Sequence, residues 1–258
     1  MLAHFYILNN TDIVLPYIIA QKEFVKRNNP RMSEKWMLNE HNKNFMQWFQ
    51  NKVGTNTGVL ETLQRLALGP NFDVFTFSAY DINNYTFYTK TQDDKSTMQN
   101  SGVMIVAESE HFATRHDKNL VTASMSYFGV IEDIWEVDYG PFKVPVFKCK
   151  WVDINNGVKV DENDFTMVDL NRIGHRDEPF IMASQVKQVF YVTDAVDNIW
   201  SMVIHGTSNH LNVEEADAMQ TPSLPNASQS FHDVFDVDYV HAVRDDHEEG
   251  IWDNTTLN

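Results

Sequence analysis

The sequence predicts an α+β protein with short N-terminal helices, then a small antiparallel β-barrel-like (SH3-like) domain, then a disordered acidic tail. Three observations carry this. Apolar residues recur at helical spacing up to Gly69-Pro70, alternate with a period of two from Phe72 to His205, and lose all periodicity beyond Gly206. The boundaries follow at 1–69, 70–205 and 206–258. With 258 residues, 43% hydrophobic and 12% aromatic, the chain can bury a sizeable core.

In the first segment, "TDIVLPYIIAQKEFVKRNNP" places Val14, Tyr17, Ile18, Phe24 and Val25 on one helical face. Thr11 or Asp12 is the expected cap, and Asn28-Asn29-Pro30 the stop. A second helix, "SEKWMLNEHNKNFMQWFQNKV", carries the stripe Leu38, His41, Phe45, Phe49 and Val53, with Ser33 as its N-cap. On that apolar face His41 reads as a packed, hydrogen-bonded histidine rather than a base. "TGVLETLQRLALGP" is a third helix that stops at Gly69-Pro70.

The β region opens with "FDVFTFSAY" and "YTFYTK" around "DINN", whose asparagines tolerate the positive φ of a tight hairpin. "GVMIVAES" is a further strand, followed by a polar loop over 109–125. In "YFGVIEDIWEVDYGPFKVPVFKCKWVD", Tyr127 to Asp153, Ile131, Trp135, Val137 and Tyr139 share one parity and Asp133 intrudes among them. Constant alternation therefore points Asp133 inward and leaves Glu132, Glu136 and Asp138 to solvent. Gly140-Pro141 turns the chain. Phe147, Cys149 and Trp151 then alternate with Lys148 and Lys150, and Pro145 marks an edge or a bulge. "GVKVDENDFTMVDL", "QVKQVFYV" and "IWSMVIHG" supply the remaining strands. In the acidic tail only "FHDVFDVDYVHAV" keeps apolar character, enough to dock weakly or bind a partner.

The net charge of −16 is unevenly spread. Residues 1–53 hold seven Lys/Arg against four Asp/Glu, residues 54–204 hold 12 against 21, and residues 205–258 hold one against 11. Phosphate contacts need a basic face, so DNA binding is expected to be weak at most and to reside in residues 1–53. A single cysteine, Cys149, excludes an internal disulfide and a cysteine-cluster zinc site. No signal segment precedes the sequons at Asn9, Asn84, Asn226 and Asn254, and no apolar run is long enough to span a bilayer. An intracellular, soluble chain is expected.

Several motifs in order carry a family resemblance: "EHNKNFMQWFQNKV", "LALGPNFDVFTFSAYDINNYTFYTKTQDD", "QNSGVMIVAES", the Tyr127–Asp153 stretch, "GVKVDENDFTMVDLNRIG" and "DEPFIMASQVKQVFYV". From the second motif onward they resemble the plant domain of unknown function found downstream of the transposase core in En/Spm-type (CACTA) transposons. The first resembles the end of the neighbouring transposase-associated domain. The resemblance covers roughly residues 1–205 and departs from the family at Ile82–Tyr85, where "INNY" stands for the usual "INGY". It implies a nuclear protein, other transposase subunits or host nuclear proteins as partners, and a fragment lacking the RNase-H-like nuclease core. It supplies no catalytic residues.

The residues themselves offer no catalytic, cofactor or metal site. Asp133, Glu136 and Asp138 invite comparison with a two-metal nuclease, but carboxylates on a strand more commonly decorate its wet face. Asp133, if buried, needs Lys148, Lys150 or Arg172 as a partner. Glu108, Glu110, His111, His116 and Asp117 match no ligand spacing. Trp135, Tyr139, Trp151, Phe190 and Tyr191 are core candidates, or an aromatic cage for a peptide or modified lysine. Arg172, His175, Arg176, Asp177 and Glu178 are expected to pair with one another across a loop, with partner recognition as the alternative. The reading is a non-catalytic accessory module that uses no cofactor, with Trp135, Tyr139, Trp151, Arg172, His175 and Arg176 as possible interaction residues. A metal-dependent nuclease at 132–138 and a peptide- or chromatin-reading barrel are the alternatives.

Overall fold

The computed structural model describes residues 2–55, 58–112, 120–195, 197–206 and 242–243. Helices come first: α1 (Leu2–Asn9), a 3-10 turn at Asp12–Val14, α2 (Leu15–Asn28), α3 (Glu34–Gly54) and α4 (Glu61–Leu68). Ser33 caps α3 as expected, its hydroxyl accepting the Trp36 N–H at 3.2 Å. Gly69, at φ 87°, ends α4. Thr11 does not cap a helix; its hydroxyl instead donates to the Ile7 carbonyl at 2.6 Å. On α2 the inward position expected for Phe24 is taken by Gln21: Phe24 is exposed and Gln21 buried. Gln21 is there because it is the partner of buried His41, at 2.6 Å.

The strands are β1 (Phe75–Phe77), β2 (Ala79–Ile82), β3 (Tyr85–Tyr88), β4 (Gly102–Phe112), β5 (Leu120–Asp138), β6 (Lys143–Val152), β7 (Val158–Val160), β8 (Thr166–Val168), β9 (Ile173–Gly174), β10 (Phe180–Met182), β11 (Lys187–Thr193), β12 (Ser201–His205) and β13 (Ala242–Val243). Single helical turns, α5 (Lys90–Asp93) and α6 (Ile154–Gly157), sit between them, and Ala183–Gln185 forms a 3-10 turn. β2 and β3 form a separate hairpin across Asn83 and Asn84, at φ 53° and 62°, the left-handed pair that a two-residue turn requires. The others form one curled sheet, a half-barrel, in the order β10-β6-β5-β4-β11-β12-β8-β7. β1 adds to β5, β9 to β6 and β13 to β4; β13 is parallel to its neighbour.

Two expectations change here. The run 72–80 is not one strand: Ser78 separates β1, which joins the large sheet, from β2, which joins the hairpin. The polar loop expected over 109–125 is shorter, because 109–112 and 120–125 extend the β4–β5 ladder. The acidic tail expected from 206 lies outside the described residues, apart from Gly206 and Ala242–Val243.

The β5–β6 hairpin expected between 127 and 153 is present, with one irregularity. Its register passes from Ile131↔Cys149 to Asp133↔Lys148, leaving Glu132 as the extra residue of a β-bulge. Before the bulge, Tyr127 and Ile131 face one cluster; after it, Ile134 does, while Val137 and Tyr139 turn to the opposite face. Pro145 is opposite Glu136 of β5, and β10 pairs with β6 only from Val146 onward. The missing N–H therefore costs no ladder bond on that side.

Three apolar clusters result. The first joins Ile7, Leu8, Phe45, Phe49 and Leu66 of the helices to Val137, Val144, Val146 and Phe180 of the sheet, so one core crosses the 69/70 boundary. The second, on the other face, holds Phe87, Tyr127, Ile131, Ile134, Phe147, Cys149 and Trp151. The third, where the sheet curls over itself, holds Met104, Phe128, Val168, Val189, Tyr191 and Val203. That curl needs close approach at Gly102, where a Cβ would lie 2.3 Å from the Val189 carbonyl oxygen. Tyr191 closes it by donating its hydroxyl to the Gly129 carbonyl at 2.8 Å.

Candidate interaction surface

The carboxylates of β5 face lysines of β6 on both sides of the sheet, Lys148 and Lys150 on one face and Lys143 on the other. Lys150 Nζ lies 2.8 Å from Glu132, Lys148 Nζ 3.0 Å from Asp133 and 3.9 Å from Glu132, and Lys143 Nζ 2.6 Å from Glu136. Cross-strand neighbours of opposite charge pair in this way. The bulge decides which side Asp133 takes: one extra residue turns it outward, its side chain 47% exposed, against the inward placement that constant alternation predicts. Glu136 is corrected in the opposite sense. It is buried rather than solvent-facing, on the side of the sheet where β1 lies alongside. Hydrogen bonding to Glu136 raises the Lys143 pKa, and hydrogen bonding to Asp133 raises that of Lys148. Burial first, and then the Glu136 charge, pushes Tyr80 up to about 12. Asp138 is used differently again, accepting the Gly140 N–H at 2.6 Å to shape the turn.

This ladder changes what the segment can do chemically. Two-metal chemistry needs carboxylates that share a cation, whereas Glu132, Asp133 and Glu136 each lie against an ammonium group. Among the described residues no group of three His, Cys, Asp or Glu side chains is arranged to hold a metal ion. Of the loop motif considered for ligation, Glu108, Glu110 and His111 fall within β4; His116 and Asp117 lie outside the described residues.

The five aromatics considered as a cage do not converge. Trp151 is 1% exposed in the second cluster. Trp135 borders the first, its ring 4.9 Å from Phe180. Tyr139 lies buried in the first cluster, stacked on Phe142 at 5.1 Å and 2.7 Å from His4 Nδ1. Tyr191 belongs to the third cluster, and Phe190 is half-buried. The two indoles sit on opposite faces of the sheet, so they cannot clasp one ligand. Cys149 is buried beside Phe147 and Trp151, where the sequence expects a thiol that only fills space.

In the loop between β8 and β10, Arg172 takes a partner outside the expected set. Arg172 Nε donates to Asp169 at 3.1 Å, and Asp169 is buried, also accepting the Asn171 N–H at 3.0 Å. His175 adopts φ 49° and sets its ring edge-on to Tyr127 at 5.3 Å, while its carbonyl accepts the Glu178 N–H. Arg176 and Asp177 are exposed. The nearest acid in sequence that shares Arg172's own turn captures it, because an i,i+3 contact orders less chain than a reach across the loop.

One surface was not singled out by sequence reasoning. Phe72 is fully exposed, Phe75 is 53% exposed, and Val74 and Phe77 are more than a third exposed, all along β1 and the residues leading into it. β1 pairs with β5 through Phe75↔Glu136 and Phe77↔Ile134; among the described residues no strand pairs along its other side. Lys143 Nζ lies 4.5 Å from the Phe75 ring centroid. The signal was present: "FDVFTF" is apolar on both parities, which a half-buried strand is not. An exposed apolar edge of this kind is the usual mark of a binding surface.

A family model matches residues 135–203, from within β5 to within β12, and its description is a domain of unknown function (DUF4216). No curated protein and no solved structure matches the chain.

Proposed function

We propose that this chain is a non-catalytic accessory module of a CACTA-type transposase, acting in the nucleus by binding other transposase subunits or host nuclear proteins. The observation that carries the proposal is the β1 edge, where Phe72, Phe75 and Phe77 stand exposed beside strand backbone that no other described strand pairs. A protein partner of extended conformation is the fitting occupant, adding a strand along β1 and covering the three rings. The carboxylate–lysine ladder supports the non-catalytic part, since it spends on ion pairs the groups a nuclease would present to a cation.

The test is binding of the full chain to a purified CACTA-type transposase core. Wild type is expected to bind, and Phe72→Ser/Phe75→Ser to bind at least about tenfold more weakly, as loss of an aromatic anchor does. Unchanged binding by the variant would remove the β1 edge from the proposal. Separately, DNA cleavage by the full chain with Mg²⁺ or Mn²⁺ that is abolished by Asp133→Asn would overturn the non-catalytic assignment.

Duplex DNA is a minor partner in this scheme. All seven Lys and Arg residues of 1–53 are exposed, but they are diluted by four acids and attached to a strongly acidic remainder. Anisotropy titration with a short duplex should give a Kd no tighter than about 10⁻⁵ M near physiological salt. Lys22→Glu/Lys26→Glu should abolish what binding there is. Equal binding by that variant, in which residues 1–53 change from a net charge of +3 to −1, would contradict placement of the contact in residues 1–53.

A further inference from the structure

β4 is covered unequally on its two sides. Along one, all of Gly102–Phe112 pairs with β5. Along the other, among the described residues, β11 meets only Val103 and Met104 before the sheet curls away, and β13 meets Ala107 and Glu108. Val106, between those contacts, is 46% exposed.

We propose that this side of β4 is a strand-docking site and that its occupant is the chain's own acidic C-terminal segment, anchored by Ala242 and Val243. Four observations converge on it. Ala242 and Val243 pair with Ala107 and Glu108 in register. The pairing is parallel, which requires a crossover of a dozen residues or more, and residues 207–241 supply that length. Leading into the anchor, Phe235, Val237 and Tyr239 alternate with Asp236 and Asp238, a strand pattern within an otherwise aperiodic stretch. Finally, an uncovered strand edge is an aggregation hazard, which the segment removes by supplying the missing backbone partners.

Charge does not drive this docking. Residues 205–258 carry one basic residue against 11 acids, and residues 54–204 carry 12 against 21, so the two parts repel. Backbone hydrogen bonding holds the segment against that repulsion, and salt strengthens the contact by screening it. The site is therefore a strand receptor closed in cis, which another extended peptide could enter only by displacing the segment.

Hydrogen exchange on the full chain tests this, with Ala242→Pro/Val243→Pro as the variant because proline cannot donate to the ladder. Peptides spanning 104–112 should exchange at least about tenfold faster in the variant, while peptides from 143–152 stay unchanged. In the wild type, protection of 104–112 should rise with ionic strength and be independent of protein concentration. Equal exchange in variant and wild type would overturn the proposal, as would protection that falls with salt. Protection that grows with concentration would assign the edge to a second copy and overturn it equally. Loss of protection throughout the sheet would do so too, by making the segment part of the core.

Discussion

Trp151→Ala is expected to lower the unfolding free energy by about 3–5 kcal/mol, the range for deleting a large aromatic from a packed core. The indole is 1% exposed and is packed among Ile131, Phe147 and Cys149. It also lies over Gly129 so closely that a Cβ there would be 2.8 Å from Trp151 Cε3. The backbone of β5 is thus fitted to the ring, and no smaller side chain can fill the space without moving the strand. Trp151→Phe retains a ring and should lose clearly less. Urea denaturation monitored by circular dichroism measures both. Because domains are stable by only about 5–15 kcal/mol, the alanine variant should be partly unfolded at modest urea. A loss below about 1 kcal/mol would show that the indole does not hold the hairpin together.

Acidification should destabilise the protein through two histidines in the helical layer. His41 is 2% exposed, its Nδ1 2.6 Å from the Gln21 side-chain oxygen and its ring 4.8 Å from that of Phe45. Burial, and then the charge of Lys22, lowers its pKa from 6.5 to about 4. Burial lowers His4 in the same way to about 4. Burial also holds the Tyr139 pKa well above its ordinary value, so its hydroxyl remains protonated within hydrogen-bond distance of His4 Nδ1. Between pH 6.5 and about 4 the unfolded chain takes up protons that the folded chain refuses, so stability falls as pH falls. The contribution is complete above the unfolded value and diminishes by about 3 kcal/mol per imidazole at the acid end. Denaturant midpoints from about pH 7.5 to about pH 4.5 measure the slope. Gln21→Leu/His41→Leu, which replaces both partners by apolar groups, should flatten it by roughly half. An unchanged slope would exclude His41 as a source.

Much of the fold was legible in the sequence wherever one residue type decides the local backbone. Ser33, Gly69 and the Asn83-Asn84 pair marked a helix start, a helix end and a hairpin turn because capping and positive φ are short-range requirements. The alternation of Phe147, Cys149 and Trp151 with two lysines was equally readable. α1 was not, since "LAHFYILN" is apolar nearly all round and shows no stripe. Nor was the division at Ser78, because both halves alternate alike and only long-range pairing separates them.

The candidate surface was less legible for the same reason. Side-chain direction along β5 depends on the bulge at Glu132, which no composition signal announces, so Asp133 and Glu136 were assigned to each other's environments. Arg172 found Asp169, a partner outside the set the loop suggested. The exposed rings of β1 required knowing that no element among the described residues covers them, and that is a property of the assembled sheet rather than of the hexapeptide.

The bulge at Glu132 has one further consequence. A strand with a twofold repeat can be read in two frames, and Glu132 is the single inserted letter that switches β5 from one to the other. Tyr127 and Ile131 are in frame for one interior, and Trp135, Val137 and Tyr139 for the interior shared with the helices, only because that letter is present. Chain length at this point is thus as strongly constrained as side-chain identity, and substitutions that keep the count are the changes the hairpin can absorb.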